Sequence, residues 1–292
     1  MQIASLNFVL RLVARLIQTA IGKVNMFTKS NSFLILGAAA LLAVQLFASV
    51  QAQPPGAQDQ PRSPTPRLPD GTVDLGGDGF WNQEWITDFA ARMPNYKEGD
   101  LPPMLPWTKA MYEYNQSTLT AYDPQGFCLI PGGPRAMGTP YPSEIIQNRD
   151  RIMIVFEGGG HVWREIHMDG RPLPPLEDLN PTFFGYSVGH WDGDTLVVEA
   201  QGFNEKTWLD FGGRVHTDQL KVTEYFSRPY KEVLSYRAII DDPGAYSAPW
   251  EVSWDIPWAE GQELDEYICQ EGNQVIHFLL DDFGNPFFER VR

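Results

Sequence analysis

From residue 151 onward the chain is cut at short, regular intervals by turn signals, and the segments between them are of strand length. Ile152 to Phe156 is the first, and Val162 to Met168 follows, ending in Asp169-Gly170. Tyr186 to Trp191 runs into Asp192-Gly193, and Thr195 to Ala200 answers it. Leu220 to Ser227 and Val233 to Ile240 flank a Pro229-Tyr230-Lys231 turn. Trp250 to Trp254, Leu264 to Gln270 and Val275 to Leu280 complete the series. Asp-Gly between alternating segments is a strong hairpin signal, because both turn positions need φ > 0. No helix of more than three turns interrupts the series. That argues against a doubly wound α/β fold, whose parallel strands need crossover helices. The expectation is a mainly β fold: an antiparallel meander closing into a lipocalin-like barrel over 151–292, with a two-sheet sandwich second.

Alternation assigns the faces. Arg164, Ile166 and Met168 share one face, and Glu165 and His167 the other. Val222, Glu224 and Phe226 oppose Thr223 and Tyr225. Tyr236, Ala238 and Ile240 oppose Arg237, Ile239 and Asp241. Each strand carries one apolar stripe. The mixed polar faces either meet water or line a barrel cavity able to hold one ligand.

The first half reads differently. Lys29 precedes an apolar run, Phe33 to Val50, which ends in Val50-Gln51-Ala52. This is the charged, apolar and cleavage-site order of a secretory signal, with cleavage expected after Ala52. An uncleaved anchor is the alternative. The signal would be complete from Met26 as well as from Met1. Residues 53–70 read as a flexible leader rich in Pro, Gln and Ser. Residues 71–150 form a Pro- and Gly-rich segment packed on the barrel. Short helices are expected near 81–92 and 106–117, and a turn over Ser143 to Gln147.

Residues 1–52 carry four basic and no acidic side chains, so the remainder holds 18 basic and 37 acidic, a net charge of −19. Such a surface repels nucleic acid and anionic membranes, and it admits neutral or cationic ligands more readily than anionic ones. No stable membrane insertion is expected once the signal is removed, which places the protein in the periplasm or outside the cell. With 9 Trp, 11 Tyr and 17 Phe there is ample apolar surface to close a core. Cys128 and Cys269, an even pair in an exported chain, read as a disulfide, with two buried free thiols as the alternative.

Five histidines are present. His167, Asp169 and Arg171 lie within five residues at a strand end, enough for a base, its orienter and a clamp for negative charge. His190 and Trp191 sit at the next hairpin mouth. Arg135, Tyr141 and Glu144, near the Gly/Pro-rich stretch, complete the candidate pocket. His161 with His167, helped by Asp192 or Asp194, is a weak metal set, since no compact ligand spacing appears. No metal and no cofactor is expected. Gly185-Tyr186-Ser187-Val188-Gly189 matches a nucleophile elbow in letters, with Gly158-Gly159-Gly160 as an oxyanion loop. Yet Pro181 precedes closely and a hairpin follows, where the elbow needs a strand and then a helix. Asn115-Gln116-Ser117 is a glycosylation triplet of little meaning for bacterial-type export.

Several runs resemble a family of exported bacterial proteins to which no reaction is attached. They are Cys128 to Arg135, Pro140 to Gln147, Ile166-His167-Met168-Asp169-Gly170-Arg171, and Gly189-His190-Trp191-Asp192-Gly193-Asp194 through Glu199. Trp208-Leu209-Asp210, Asp242-Pro243 and Tyr267-Ile268-Cys269 also fit. The resemblance covers roughly residues 125–272 and implies shared ancestry and export. Leu173-Pro174 stands where relatives would carry His-Pro.

Two function classes follow. The first is a cofactor-independent exported enzyme, a lyase, isomerase or hydrolase, working on a small apolar or aromatic molecule by acid–base chemistry. The second is a non-catalytic periplasmic binder or carrier of a small hydrophobic ligand. A scaffold role is third.

Overall fold

The computed structural model describes residues 62–271, without the side chains of Gly160 and His161. The expected signal, the start of the leader, His277 and the strand at 275–280 lie outside the described residues.

Nine strands close into one barrel in sequence order: β1 Gly79–Trp81, β2 Ser143–Gln147, β3 Arg151–Phe156, β4 Val162–His167, β5 Tyr186–Asp192, β6 Thr195–Gln201, β7 Lys221–Tyr230, β8 Val233–Asp241 and β9 Trp250–Glu260. The mainly β, closed-barrel expectation holds. One detail differs from a pure meander: β4 and β5 pair in parallel, Ile166 opposite Ser187 and His167 opposite Val188. A ring with an odd number of strands requires this. Each antiparallel step reverses direction, and nine reversals cannot return to the start. The connection 168–185 makes the return crossing without a long helix.

Two strands come from the segment expected only to pack on the barrel. Ser143–Gln147, expected as a turn, is β2 and pairs with β3 along its whole length. β1, which ends at Trp81 where the expected 81–92 helix would begin, closes the ring against β9, with Trp81 opposite Trp258. Only a 3₁₀ turn at Ala90–Arg92 remains of that helix. The second helix is present: α1, Pro106–Ser117, starts on a proline at a position that needs no N–H. A four-residue helix, α2, spans Gly158–His161. Leu264 to Gln270 forms no strand.

The leader is pinned where it is described. Ser63 N–H donates to the Glu232 carboxylate, the Thr65 hydroxyl to the Arg228 carbonyl at 2.9 Å, and Arg67 to Asp194 at 2.9 Å.

The strand faces follow the alternation. The lumen is filled by Ile152, Ile154, Ile166, Leu196, Val198, Val222, Phe226, Leu234, Ala238, Val252 and Ile256, all buried. Arg164 and Glu224 share this inner face and pair across the lumen, their side chains 2% and 1% exposed. Arg164 Nε also donates to the Ser187 hydroxyl, and the Tyr236 hydroxyl donates to Glu224 at 2.7 Å. Burial first, then Glu224, pushes the Tyr236 phenol well above its ordinary value. At one end Arg228 lies 4.7 Å from the Trp81 and Trp258 rings and donates to the carbonyls of Asp74, Gly76 and Lys231. Burial pulls its pKa down to about 10.

Candidate functional site

A cleft of about 700 Å³ opens beside the barrel, and no strand residue lines it. Its walls come from loops: Trp85, the stretch Leu119–Leu129, Arg135, Tyr141, Phe211, and the strap that carries Tyr267, Cys269 and Glu271. Two sequence features fix the floor. Asp123 caps the 3₁₀ turn Pro124–Phe127 by accepting from Gln125 N–H. The same carboxylate takes both terminal nitrogens of Arg135, one at 2.8 Å, in a buried two-pronged pair. Such a fork is the geometry for which guanidinium is suited, and it leaves neither charge open. Gly132 (φ +63°) makes the preceding turn, where a Cβ would lie 2.3 Å from the Phe183 carbonyl.

Tyr141 forms the next wall. Its ring lies flat against Gly158, where an added Cβ would come 2.3 Å from the ring. The glycine run read as a possible oxyanion loop therefore serves packing. The Tyr141 and Tyr267 rings sit 4.7 Å apart with their hydroxyls 3.1 Å apart. Burial first, then that hydrogen bond, pushes the Tyr141 phenol up to about 12. It is therefore a neutral donor at physiological pH. The strap is tied down by the Cys128–Cys269 disulfide (Cα–Cα 5.6 Å), as the cysteine pair had suggested, and by Asp265 N–H donating to Glu157 at 2.8 Å.

The mouth is set by a second buried arginine. Arg214 pairs with Asp210, four residues earlier, and with Asp88 at 2.8 Å, and it lies 4.7 Å from the Tyr112 ring. Asp210 also accepts from Phe89 N–H at 2.9 Å. Asn115 and Gln116, at the end of α1, donate to the Gly213 and Gly212 carbonyls. These bonds join three loops and bring Trp85 against Phe211, edge to face at 5.1 Å. They also bury Asn115, which rules out its glycosylation in the folded chain.

Of the residues expected at a pocket, Arg135 and Tyr141 line the cleft. The others lie elsewhere. His167 and His190 point outward from β4 and β5, on the outer face of the barrel. Asp169 does not orient His167: Arg171 holds it through two nitrogens, Nε at 2.8 Å, and pulls its pKa down to about 2. The carboxylate facing His167 Nδ1 is that of Glu165, at 3.8 Å, too far for a hydrogen bond. Arg171 is also spoken for, by Asp169 and by the Tyr186 hydroxyl at 2.9 Å, and the Tyr186 ring lies tilted against His167 at 4.8 Å. Glu144 sits on the outer face of β2, while Trp191 packs against the core. Asp194, a candidate metal donor, pairs with Arg67. Ser187 is buried in β5 and bonded to Arg164, so it is no nucleophile.

No family model, curated protein or solved structure matches the chain. Function must be read from the site itself. Among the described residues no helix is long and apolar enough to cross a membrane. The Cys128–Cys269 disulfide fits an oxidising, periplasmic or extracellular setting.

Proposed function

We propose that the chain is an exported binding protein that holds a small, largely aromatic molecule in the loop-built cleft. One observation carries this reading: Trp85, Phe127, Tyr141, Phe211 and Tyr267 line a single opening whose floor ion pair is already closed. Aromatic walls with a few fixed polar groups are the usual make-up of small-molecule sites. The lumen is filled by side chains, and the side cleft is the opening walled by five aromatic rings. Catalysis would need an acid or base within hydrogen-bonding reach of the substrate. The imidazoles of His167 and His190 lie on the outer wall, and Tyr141 holds its proton. The acid–base enzyme reading would need a substrate seated on that open face over His167 and Tyr186, where water competes for every polar contact.

The test is a titration of the secreted form, beginning at residue 53, with the neutral fluorophore N-phenyl-1-naphthylamine. Saturable one-site binding is expected. Trp85→Ala and Tyr267→Ala should each weaken it about tenfold, the equivalent of one good aromatic contact. His167→Ala and His190→Ala should leave it unchanged. Absence of saturation, or loss confined to the histidine variants, would overturn the reading.

A further inference from the structure

The five rings of the cleft differ from an ordinary apolar pocket in the charges around them. Arg135 is the basic residue among its lining groups, and Asp123 neutralises it through two hydrogen bonds. Glu271 lines the rim, so with that pair closed the lining groups carry a net negative charge. The strap that forms this wall, residues 262–271, holds Glu263, Asp265, Glu266 and Glu271 and no basic residue. Glu157 adds a further carboxylate where it anchors the strap. The chain beyond the signal carries a net charge of −19. Aromatic faces present negative charge to a ligand, Trp most strongly, and they attract a cation lying over the ring. Acidic walls raise the local concentration of cations and repel anions.

Resting on the binding role proposed above, we infer that the ligand is an organic cation, a tertiary or quaternary ammonium joined to an apolar or aromatic body. A bare metal ion does not fit, because the rings offer no lone pairs for coordination and among the described residues no three His, Cys, Asp or Glu side chains gather. A primary ammonium is strongly hydrated and would need several acceptors to replace its water. The two tyrosine hydroxyls already engage each other. An alkylated ammonium spreads its charge over methyl groups and asks only for ring faces and a nearby carboxylate. Trp85, 56% exposed at the mouth, is the ring that such a group would meet first, and Glu271 supplies the carboxylate.

The experiment compares two ligands of one shape. Benzyltrimethylammonium and neopentylbenzene differ in the central nitrogen and carbon, and so in charge. Each competes against bound N-phenyl-1-naphthylamine on the intact secreted chain. The ammonium should displace the probe at about tenfold lower concentration. Its advantage should shrink at high salt and in Glu271→Gln, and vanish in Trp85→Leu. Equal displacement, preference for neopentylbenzene, or failure of both against a bound probe would overturn the inference and leave cleft binding standing. A probe that never binds removes the binding role itself.

Discussion

Of the buried arginine–carboxylate pairs in this molecule, one lies inside the barrel and another under the cleft. Arg164 reaches from β4 across the lumen to Glu224 on β7, joined by Ser187 and Tyr236. Arg135 reaches only twelve residues back, to Asp123 at the start of a 3₁₀ turn. The first pair closes a space that strands have already framed, and aliphatic side chains fill the remainder. The second braces loops that have no ladder of backbone bonds, and it leaves aromatic walls facing outward. Burying an ion pair is thus compatible with either a sealed core or an open site. What decides is whether strands or loops hold the rest of the wall. A lumen built for ligands would not spend its centre on a saturated four-residue network.

The comparison is most sharply tested at the disulfide, because it serves the loops and not the barrel. Cys128 and Cys269 are 141 residues apart, and chain entropy alone gives such a bridge about 5 kcal/mol of stability. Denaturant melts of the oxidised chain and of Cys128→Ser/Cys269→Ser should show a loss approaching that figure. Below the transition, the variant should keep the barrel's far-ultraviolet circular dichroism and lose probe binding, since Tyr267 and Glu271 hang on the strap. A reduced chain that still binds the probe fully would mean that the strap is not a wall of the site.

The next effect belongs to the lumen. Glu224→Gln leaves the Arg164 guanidinium buried without its counter-charge and should cost about 3–5 kcal/mol. Replacing both partners, Arg164→Met with Glu224→Leu, should recover most of it, because well-packed apolar groups avoid the desolvation cost. Probe affinity of either variant, measured where it remains folded, should match the parent. A change in affinity would couple the two regions and break the contrast.

What was legible follows the same division. Strand residues announce themselves by a period of two, so β3 to β9 and their inner faces could be read, Arg164 and Glu224 included. β1 is three residues long and β2 is crowded by Pro140 and Pro142, so each falls below the length at which a period shows. The parallel step is a property of the closed ring, invisible in any one segment. Leu264 to Gln270 alternates like a strand but is held by a disulfide and two side-chain contacts instead. In the cleft, Arg135 and Tyr141 stood out beside their Gly/Pro turns. Trp85, Asp123 and Phe211 did not, because ion pairs between distant loops bring them together and no local pattern records that. His167, Asp169 and Arg171 were adjacent in sequence and are adjacent in space. Their spacing makes a turn with the Asp169–Arg171 ion pair across it, on the outer side of the barrel and away from the cleft.

The smallest predicted effect is a pH dependence that should separate the regions again. His216 is buried in the loop between β6 and β7, its Nδ1 3.0 Å from the Thr217 carbonyl. Burial lowers its pKa below the ordinary 6.5, against the opposing pull of that carbonyl, Asp242 and Glu205. The unfolded chain therefore takes up a proton before the folded one does. The stability this represents is complete above pH 6.5 and is lost as pH falls through the lower folded value. In the lumen, Tyr236 is shifted upward, away from this range, and Arg164 stays charged throughout it. Thermal melts from neutral pH down to about pH 5 should show a fall that His216→Gln flattens. An unchanged slope in that variant would place the acid-sensitive group elsewhere and remove the claim that the loops yield to acid before the barrel does.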